Sequence, residues 1–411
     1  MTDTPGFPAR RAALQMLDAV MRRGVPLESA LGGATRTLAP PDKALARAIA
    51  SESLRWLPDL DDLIDSATRL RLADDAKARM VLRLLLAQVL ILKTPPHAAL
   101  ATGLPLLEGG PRRLVHGVTS ALLRRQVALP DTPGLPHEVH ARWRQAWGDA
   151  MIADASAALA QRAPLDLTIK DAGETADWAT TLGGESLAPG HVRLAADSDV
   201  AKLPGFDEGA WWVQGLAASV PARLFGAGEG RTILDLCAAP GGKTLQLAAA
   251  GWKVTALDSD ATRMQRIGEN LSRTRLLAKL IVNDMMDWAP PAPVSAILLD
   301  APCSATGTFA RHPEVLHRAR PKDIAAMAER QSAMIARAGD WLEPGGTLVY
   351  ATCSLEPEEG EAQLPVALAA GLVLDPITEP VAGFVAAPEG WLRILPAPGI
   401  DGFFIMRLRK P

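Results

Sequence analysis

From Thr232 onward the chain alternates short apolar runs of strand length with helical or turn-rich stretches. The runs are TILDLCA (232–238), KVTALD (253–258), AKLIVND (278–284), VSAILLD (294–300), GTLVYAT (346–352), LRILP (392–396) and GFFIMRL (402–408). Strand and helix taking turns predict an α/β unit built on a largely parallel, doubly wound sheet. Ligands of such sheets bind outside the carboxyl ends of the strands. All three cysteines of the chain fall there: Cys237 in ILDLCAAPGGKT (233–244), Cys303 in ILLDAPCSATG (297–307) and Cys353 in LVYATCSLEP (348–357). Cysteines kept for packing would scatter over apolar faces as small hydrophobes do. Here each follows a strand and precedes turn residues, which points to an enzyme with a thiol at work.

The 411 residues suffice for two or three domains, at 48% hydrophobic and 22% charged. Three cysteines with no close pair give neither a disulfide framework nor a CxxC zinc spacing, so reduced thiols in a cytosol and no metal are expected. The start, MTDTPGFPARRAAL, has no apolar h-region, so no signal peptide is expected. The apolar run Met80 to Leu92 contains Arg83 and Gln88 and is too short to span a bilayer. It reads as a buried helix, and no membrane partner is expected.

Residues 8–126 read as helices throughout. Pro8 can start one that Gly24 ends, with Ala13, Leu17, Val20 and Met21 at helical spacing. Asp42 is the expected N-cap of a second, carrying Leu45, Ile49 and Leu54. A last helix spans about Pro111 to Gln126, with Arg112, Arg113, Arg124 and Arg125 near its ends. The Pro/Gly-rich LPDTPGLPHE (129–138) reads as a linker. Residues 1–130 carry 18 Lys and Arg against 12 Asp and Glu, a balance of +6 in a chain whose net charge is −3. A basic helical part joined to an acidic α/β part suggests that the first is drawn to an anionic partner, although solvated helix faces give the same count. Three segments are predicted: a helical domain over 1–130, a small α/β subdomain over 139–225 with strands near 165–170, 192–196 and 203–214, and the main α/β domain over 226–411.

CAAPGGKT ends one strand and opens a helix, so Gly241 and Gly242 allow a tight turn and close approach of backbone to a ligand. A nucleotide-binding P-loop is the rival reading, because Gly242-Lys243-Thr244 fits its end; Cys237 stands where its first glycine belongs. The acids discriminate better. Asp258, Asp284 and Asp300 end three successive strands and share one rim, where each could also be an ordinary helix cap. Together with a glycine loop they suit a nucleoside without phosphates, and S-adenosylmethionine is such a ligand.

The strings DLCAAPGGKT, LLDAPCSATG followed by RHPEV, LVYATCS and IDGFF resemble those of the RsmB/Sun family of RNA cytosine-C5 methyltransferases. DKALARAIASESLR, TPPHAAL (94–100) and VHGVTSALLRR (115–125) resemble the NusB-like RNA-binding domain that precedes the catalytic part in bacterial members. The resemblance implies a Rossmann-like methyltransferase domain that uses S-adenosylmethionine. It assigns Cys353 of TCS as the thiol that adds to carbon 6 of cytosine, and Cys303 of PCS as the group that helps resolve the adduct. Asp300 is then placed at the polar edge of the base. Cys237, Ala238, Ala239, Pro240, Gly241, Gly242 and Lys243, with Asp258, Asp284 and Asp300, correspond to the cofactor-binding residues. Gly215 stands where the family usually has an acid after VQ.

DNA cytosine methyltransferases attack with the PC-string cysteine, so a swap of the two thiol roles stays open. RNA rather than DNA is the expected substrate, because the TCS cysteine would otherwise be unexplained, and small-subunit rRNA is the expected target. Two other readings compete: an inactive rRNA-binding assembly or antitermination-like factor, and a P-loop ATPase. Trp211 and Trp212 could stack bases, but core packing is the plainer expectation, as it is for Tyr350, the only tyrosine. His312 is expected to be solvated or capping.

Overall fold

The computed structural model describes residues 5–411. It contains two compact units, one running to Gln161 and including Phe309–Arg320, the other formed by Arg162–Thr308 and Pro321–Pro411.

In the first unit the helices are Phe7–Arg23, Leu27–Ala34, Pro40–Arg55, Leu57–Ser66, Lys77–Leu86, Pro96–Gly103, Gly109–Arg124 and His137–Ala160, with the short Val315–Arg318. Gly24 ends the first at φ 63°, and its N–H donates to the Val20 carbonyl. Asp42 does not cap the third helix: Ala39 stands at the N-cap, and Asp42 lies in the first turn. There its charge still complements the helix dipole. The run from Met80 is buried on all sides, as its lack of polar periodicity requires, and continues into a π-helical turn at Ala87–Ile91. Arg79, just before it, and Arg83, within it, are buried because Asp65 and Asp61 meet their guanidinium groups at 2.6 and 2.7 Å. The unit extends past the Pro/Gly-rich stretch at 129–138, through the helix His137–Ala160, to Gln161.

The segment Phe309–Arg320 completes this unit although it falls between the PCS and TCS strings in sequence. Phe309 is buried against Trp143, ring centroids 5.5 Å apart. Arg55 donates to the Ala310 and Leu159 carbonyls, and the Leu27 N–H donates to the Glu314 carboxylate at 3.2 Å. His312 of RHPEV is half-buried, 3.9 Å from Glu314.

The second unit holds two sheets. In the smaller, β1 (Leu165–Ile169) lies between β2 (His191–Leu194) and β3 (Trp211–Val213), both antiparallel to it. Trp211 and Trp212 are buried, in keeping with core packing.

The larger sheet comprises β4 (Thr232–Leu236), β5 (Lys253–Asp258), β6 (Ala278–Val282), β7 (Val294–Asp300), β8 (Leu342–Thr352), β9 (Val373–Leu374), β10 (Leu392–Ile394) and β11 (Phe403–Arg409). Their order is β10-β11-β8-β7-β4-β5-β6, with β9 pairing β11. The strands from β8 to β6 run parallel, whereas β11 is antiparallel to β8 and β10 to β11. Separate apolar clusters cover the two faces, so β7 and β8 read as continuous apolar runs. The chain steps outward from β4 through β5 to β6, then crosses back to β7 on the other side of β4. Strand order reverses between β4 and β7, which is where a doubly wound sheet opens a crevice.

Candidate active site

That crevice holds a cavity of about 530 Å³, lined by the ends of β4, β5, β7 and β8, the loops after them and the turn after β6. Cys237, Ala239, Pro240, Asp258, Asp284, Asp300, Cys303 and Cys353 all face it. Of the other residues singled out in the sequence, Ala238, Gly241, Gly242 and Lys243 do not line it and instead shape or brace its wall.

The loop after β4 turns at once. Cys237 takes a left-handed φ of 59°, uncommon for a residue with a Cβ. The Ala238 N–H donates to the Leu257 carbonyl of β5 at 3.1 Å, which ties the loop to the neighbouring strand. Gly241, at φ 101°, precedes the helix Gly242–Ala249; a Cβ there would stand 2.8 Å from Ile267 Cγ1. Cys237 both lines the cavity and packs on the core. Burial, then the charges of Asp258 and Asp300, push its thiol well up, so it is held neutral.

Asp258 accepts the Ala239 N–H on one carboxylate oxygen and the Asp260 N–H on the other, both at 3.0 Å. Each oxygen keeps a lone pair for a ligand hydroxyl. Asp284 accepts the Met286 N–H and pairs with Arg330 at 2.8 Å. Asp300 receives the Lys243 ammonium at 2.7 Å. Burial opposes that ammonium, but Asp300 first and then Cys353 and Asp235 hold its pKa above the ordinary lysine value. Beneath the loop, Asp235 is fully buried and accepts from the Thr244 hydroxyl at 2.5 Å; burial pushes its carboxyl up to about 7.

The two remaining thiols face each other, with Cys303 Sγ 3.5 Å from Cys353 Sγ. The hydrogen bond with Cys353, burial, and the negative charges of Cys353 and Glu359 hold the Cys303 thiol well above its ordinary value. The Gly307 N–H donates to the Cys353 carbonyl and the Gly402 N–H to the Gly307 carbonyl, each at 2.9 Å. The SATG, TCS and IDGFF strings, far apart in sequence, are thereby one backbone assembly.

Sequence reasoning did not single out Arg263, Asn283 or Met334, which also line the cavity. Arg263 donates to the Ala239 carbonyl from the helix Ala261–Thr274. Nor did it find Glu359, whose carboxylate joins the two cysteine turns. Asn283 adjoins Asp284 and could have been read with it; the others arrive from helices or loops that carry no local signal. Lys243 turns to Asp300 instead of standing free for phosphates. With Asp284 paired to Arg330 and Asp300 to Lys243, Asp258 is the carboxylate left open to a ligand, which suits a hydroxyl-bearing group better than a triphosphate. No group of His, Cys, Asp and Glu suited to a metal occurs among the described residues.

A doubly wound sheet with an acid-lined crevice at its switch point and two facing thiols defines a Rossmann-like transferase. The profile of the 16S rRNA methyltransferase RsmB/F family matches residues 223–409, and that of the NusB family matches residues 8–107. Ribosomal RNA small subunit methyltransferase B of Erwinia tasmaniensis is 33% identical over 98% of both chains. The protein of the same name from Klebsiella pneumoniae (strain ATCC 700721 / MGH 78578) is 34% identical, again over 98% of each. Among solved structures, a methyltransferase homolog protein from Pyrococcus horikoshii shares 25% identity at a TM-score of 0.54, covering 68% of this chain and 96% of its own. The structure of NSun6 from Pyrococcus horikoshii with SFG, at 21% identity and a TM-score of 0.58, covers 67% of this chain and 98% of its own and shares the fold. The chain belongs to the RsmB/F family of S-adenosylmethionine-dependent rRNA methyltransferases.

Proposed function

We propose that this protein methylates carbon 5 of a cytosine in small-subunit rRNA through a covalent adduct with Cys353. The observation that carries this reading is the pair of sulfur atoms 3.5 Å apart at the rim of an acid-lined cavity. Carbon 5 of cytosine is a poor nucleophile, and addition of a thiolate to carbon 6 makes it enamine-like.

The cavity fits S-adenosylmethionine on its own chemistry. Asp258 offers acceptors for hydroxyl groups, and Pro240, Leu257 and Met334 give apolar wall. When bound, the cofactor supplies an electrophilic methyl group on a sulfonium.

The chain's own residues do the rest. The Cys353 thiolate attacks carbon 6, and its bond to that carbon breaks again at the end, returning the thiolate. Asp300, bridged to Lys243, would accept a hydrogen bond from a protonated ring nitrogen 3, which favours addition. Once Cys353 is bonded to carbon 6 and uncharged, Cys303 would give up its own proton to solvent and, as the thiolate, take the proton from carbon 5, whose electron pair then expels the Cys353 thiolate. The base must leave its stack to reach this site. The basic helical unit, with Arg112, Arg113 and Arg124 on Gly109–Arg124, would hold the RNA backbone. A cytosolic enzyme follows from such a substrate; no helix among the described residues is long and apolar enough to cross a membrane.

The test is transfer of labelled methyl from S-adenosylmethionine to unmodified small-subunit rRNA. Label in cytosine with the wild type and none with Cys353→Ala is the expected result. Turnover by Cys353→Ala would reassign the nucleophile to Cys303. No transfer by the wild type to naked RNA or to subunits would favour the inactive RNA-binding reading.

A further inference from the structure

Glu359 is fully buried at the meeting point of the two cysteine turns. One carboxylate oxygen accepts the Ser304 N–H at 2.9 Å and the Gln331 amide at 3.2 Å. The other accepts the Ser354 hydroxyl at 2.5 Å and the Ser304 hydroxyl. Its backbone carbonyl accepts the hydroxyls of Tyr350 and Thr352 at 2.8 and 3.2 Å, which fixes it to β8. Ser304 follows Cys303 and Ser354 follows Cys353, so one side chain grips the residue after each thiol. Two N–H groups and two hydroxyls thus meet its four lone pairs, a set that an ionised carboxylate accepts in full. Burial raises its pKa, and the Ser304 and Ser354 hydrogen bonds oppose the rise.

We propose that Glu359 is a positioning residue that holds the two cysteine turns in register and makes their thiols chemically unequal. The hydrogen bond with Cys353 and burial raise the Cys303 thiol most, and the Glu359 charge raises it further, whereas Cys353 lies toward the Lys243 ammonium. Two thiols in contact would otherwise compete for the same proton. The idea rests on the division of roles between Cys353 and Cys303 proposed above.

The test is competitive alkylation of the full-length protein with iodoacetamide, read at each cysteine by mass spectrometry, in wild type and Glu359→Gln. In the wild type Cys353 is expected to react faster than Cys303. In Glu359→Gln the Cys353:Cys303 rate ratio is expected to fall about tenfold, mainly because Cys303 speeds up, as removal of one nearby charge predicts. S-adenosylmethionine affinity within threefold or so of wild type would show that the sheet and loop are intact. An unchanged ratio in a folded variant overturns the proposal. Should Glu359→Gln fail to fold, Ser354→Ala, which removes one grip and leaves the charge, is expected to narrow the ratio in the same direction; no change there overturns it equally. The assay contains no RNA. A wild type that alkylates selectively but methylates nothing would sink the functional reading and leave this one standing.

Discussion

Gly307 and Gly402 pass so closely that a Cβ on Gly307 would stand 2.1 Å from the Gly402 carbonyl oxygen. The obstacle is backbone, so no side-chain rotation relieves it. Gly307→Ala must therefore push the SATG turn from the Cys353 carbonyl, to which the Gly307 N–H donates. A loss of about 1–3 kcal/mol in stability is expected from such overpacking. Methyl transfer should fall further than stability does, by about a hundredfold, because small misplacements of reacting groups are costly. Calorimetry and turnover on the same preparation would check both.

Asp258 holds the Ala239 N–H and so braces the loop while offering acceptors to a ligand. Asp258→Ala should weaken S-adenosylmethionine binding by about ten- to a hundredfold, the worth of one or two hydrogen bonds to a charged acceptor. Asp258→Asn, which keeps one acceptor oxygen, should lose less. Isothermal titration without RNA would measure this apart from chemistry, and unchanged affinity in both variants would remove Asp258 from the site.

The motifs were legible in sequence because each is a strand end followed by glycine, proline or acid, a local pattern with a local cause. Cys237, Asp258, Asp284, Asp300, Cys303 and Cys353 accordingly share one cavity. The antiparallel edge was not legible as such: β11 looks like any other apolar run, and its direction is set by a long-range pairing with β8. Phe309–Arg320 shows the limit most clearly. It follows closely on the LLDAPCSATG string in sequence, yet its structural partners are Arg55, Trp143 and Leu27, and no pattern along the chain announces them. Glu359 was hidden for the same reason, since a buried carboxylate is recognised by its donors and those come from three separate stretches.

His317 offers a pH test of the helical unit. It is partly buried beside the Leu54 carbonyl, at 2.8 Å, and burial lowers its pKa to about 4. An unfolded histidine binds its proton near pH 6.5. Between those values the unfolded chain holds the extra proton, so stability falls as pH drops from about 6.5 to about 4 and is full above that window. With allowance for its partial exposure, His317 should account for about 2 kcal/mol of that loss. His317→Gln, which can still donate to Leu54, should flatten the midpoint-versus-pH curve over this window. A wild-type and variant pair with parallel curves would show that other groups govern acid lability.

Lys243 and Asp300 form the charge pair closest to the proposed chemistry, and each is only partly open to solvent. Removing the ammonium leaves Asp300 without its cation and deprives Cys353 of the positive charge that bears on it. Lys243→Met, similar in length and apolar, should leave cofactor binding nearly intact, because Lys243 does not line the cavity. It should cut methyl transfer by about a hundred- to a thousandfold, the usual cost of losing one preorganised electrostatic group. The step it affects can be isolated in a Cys303→Ala background, where the protein–RNA adduct is expected to accumulate as a slow band that survives denaturation. Loss of that band in Lys243→Met/Cys303→Ala would place the lysine before or at thiolate addition. A band of full intensity would place it after, at methyl capture or release, and would remove the lysine from activation of Cys353.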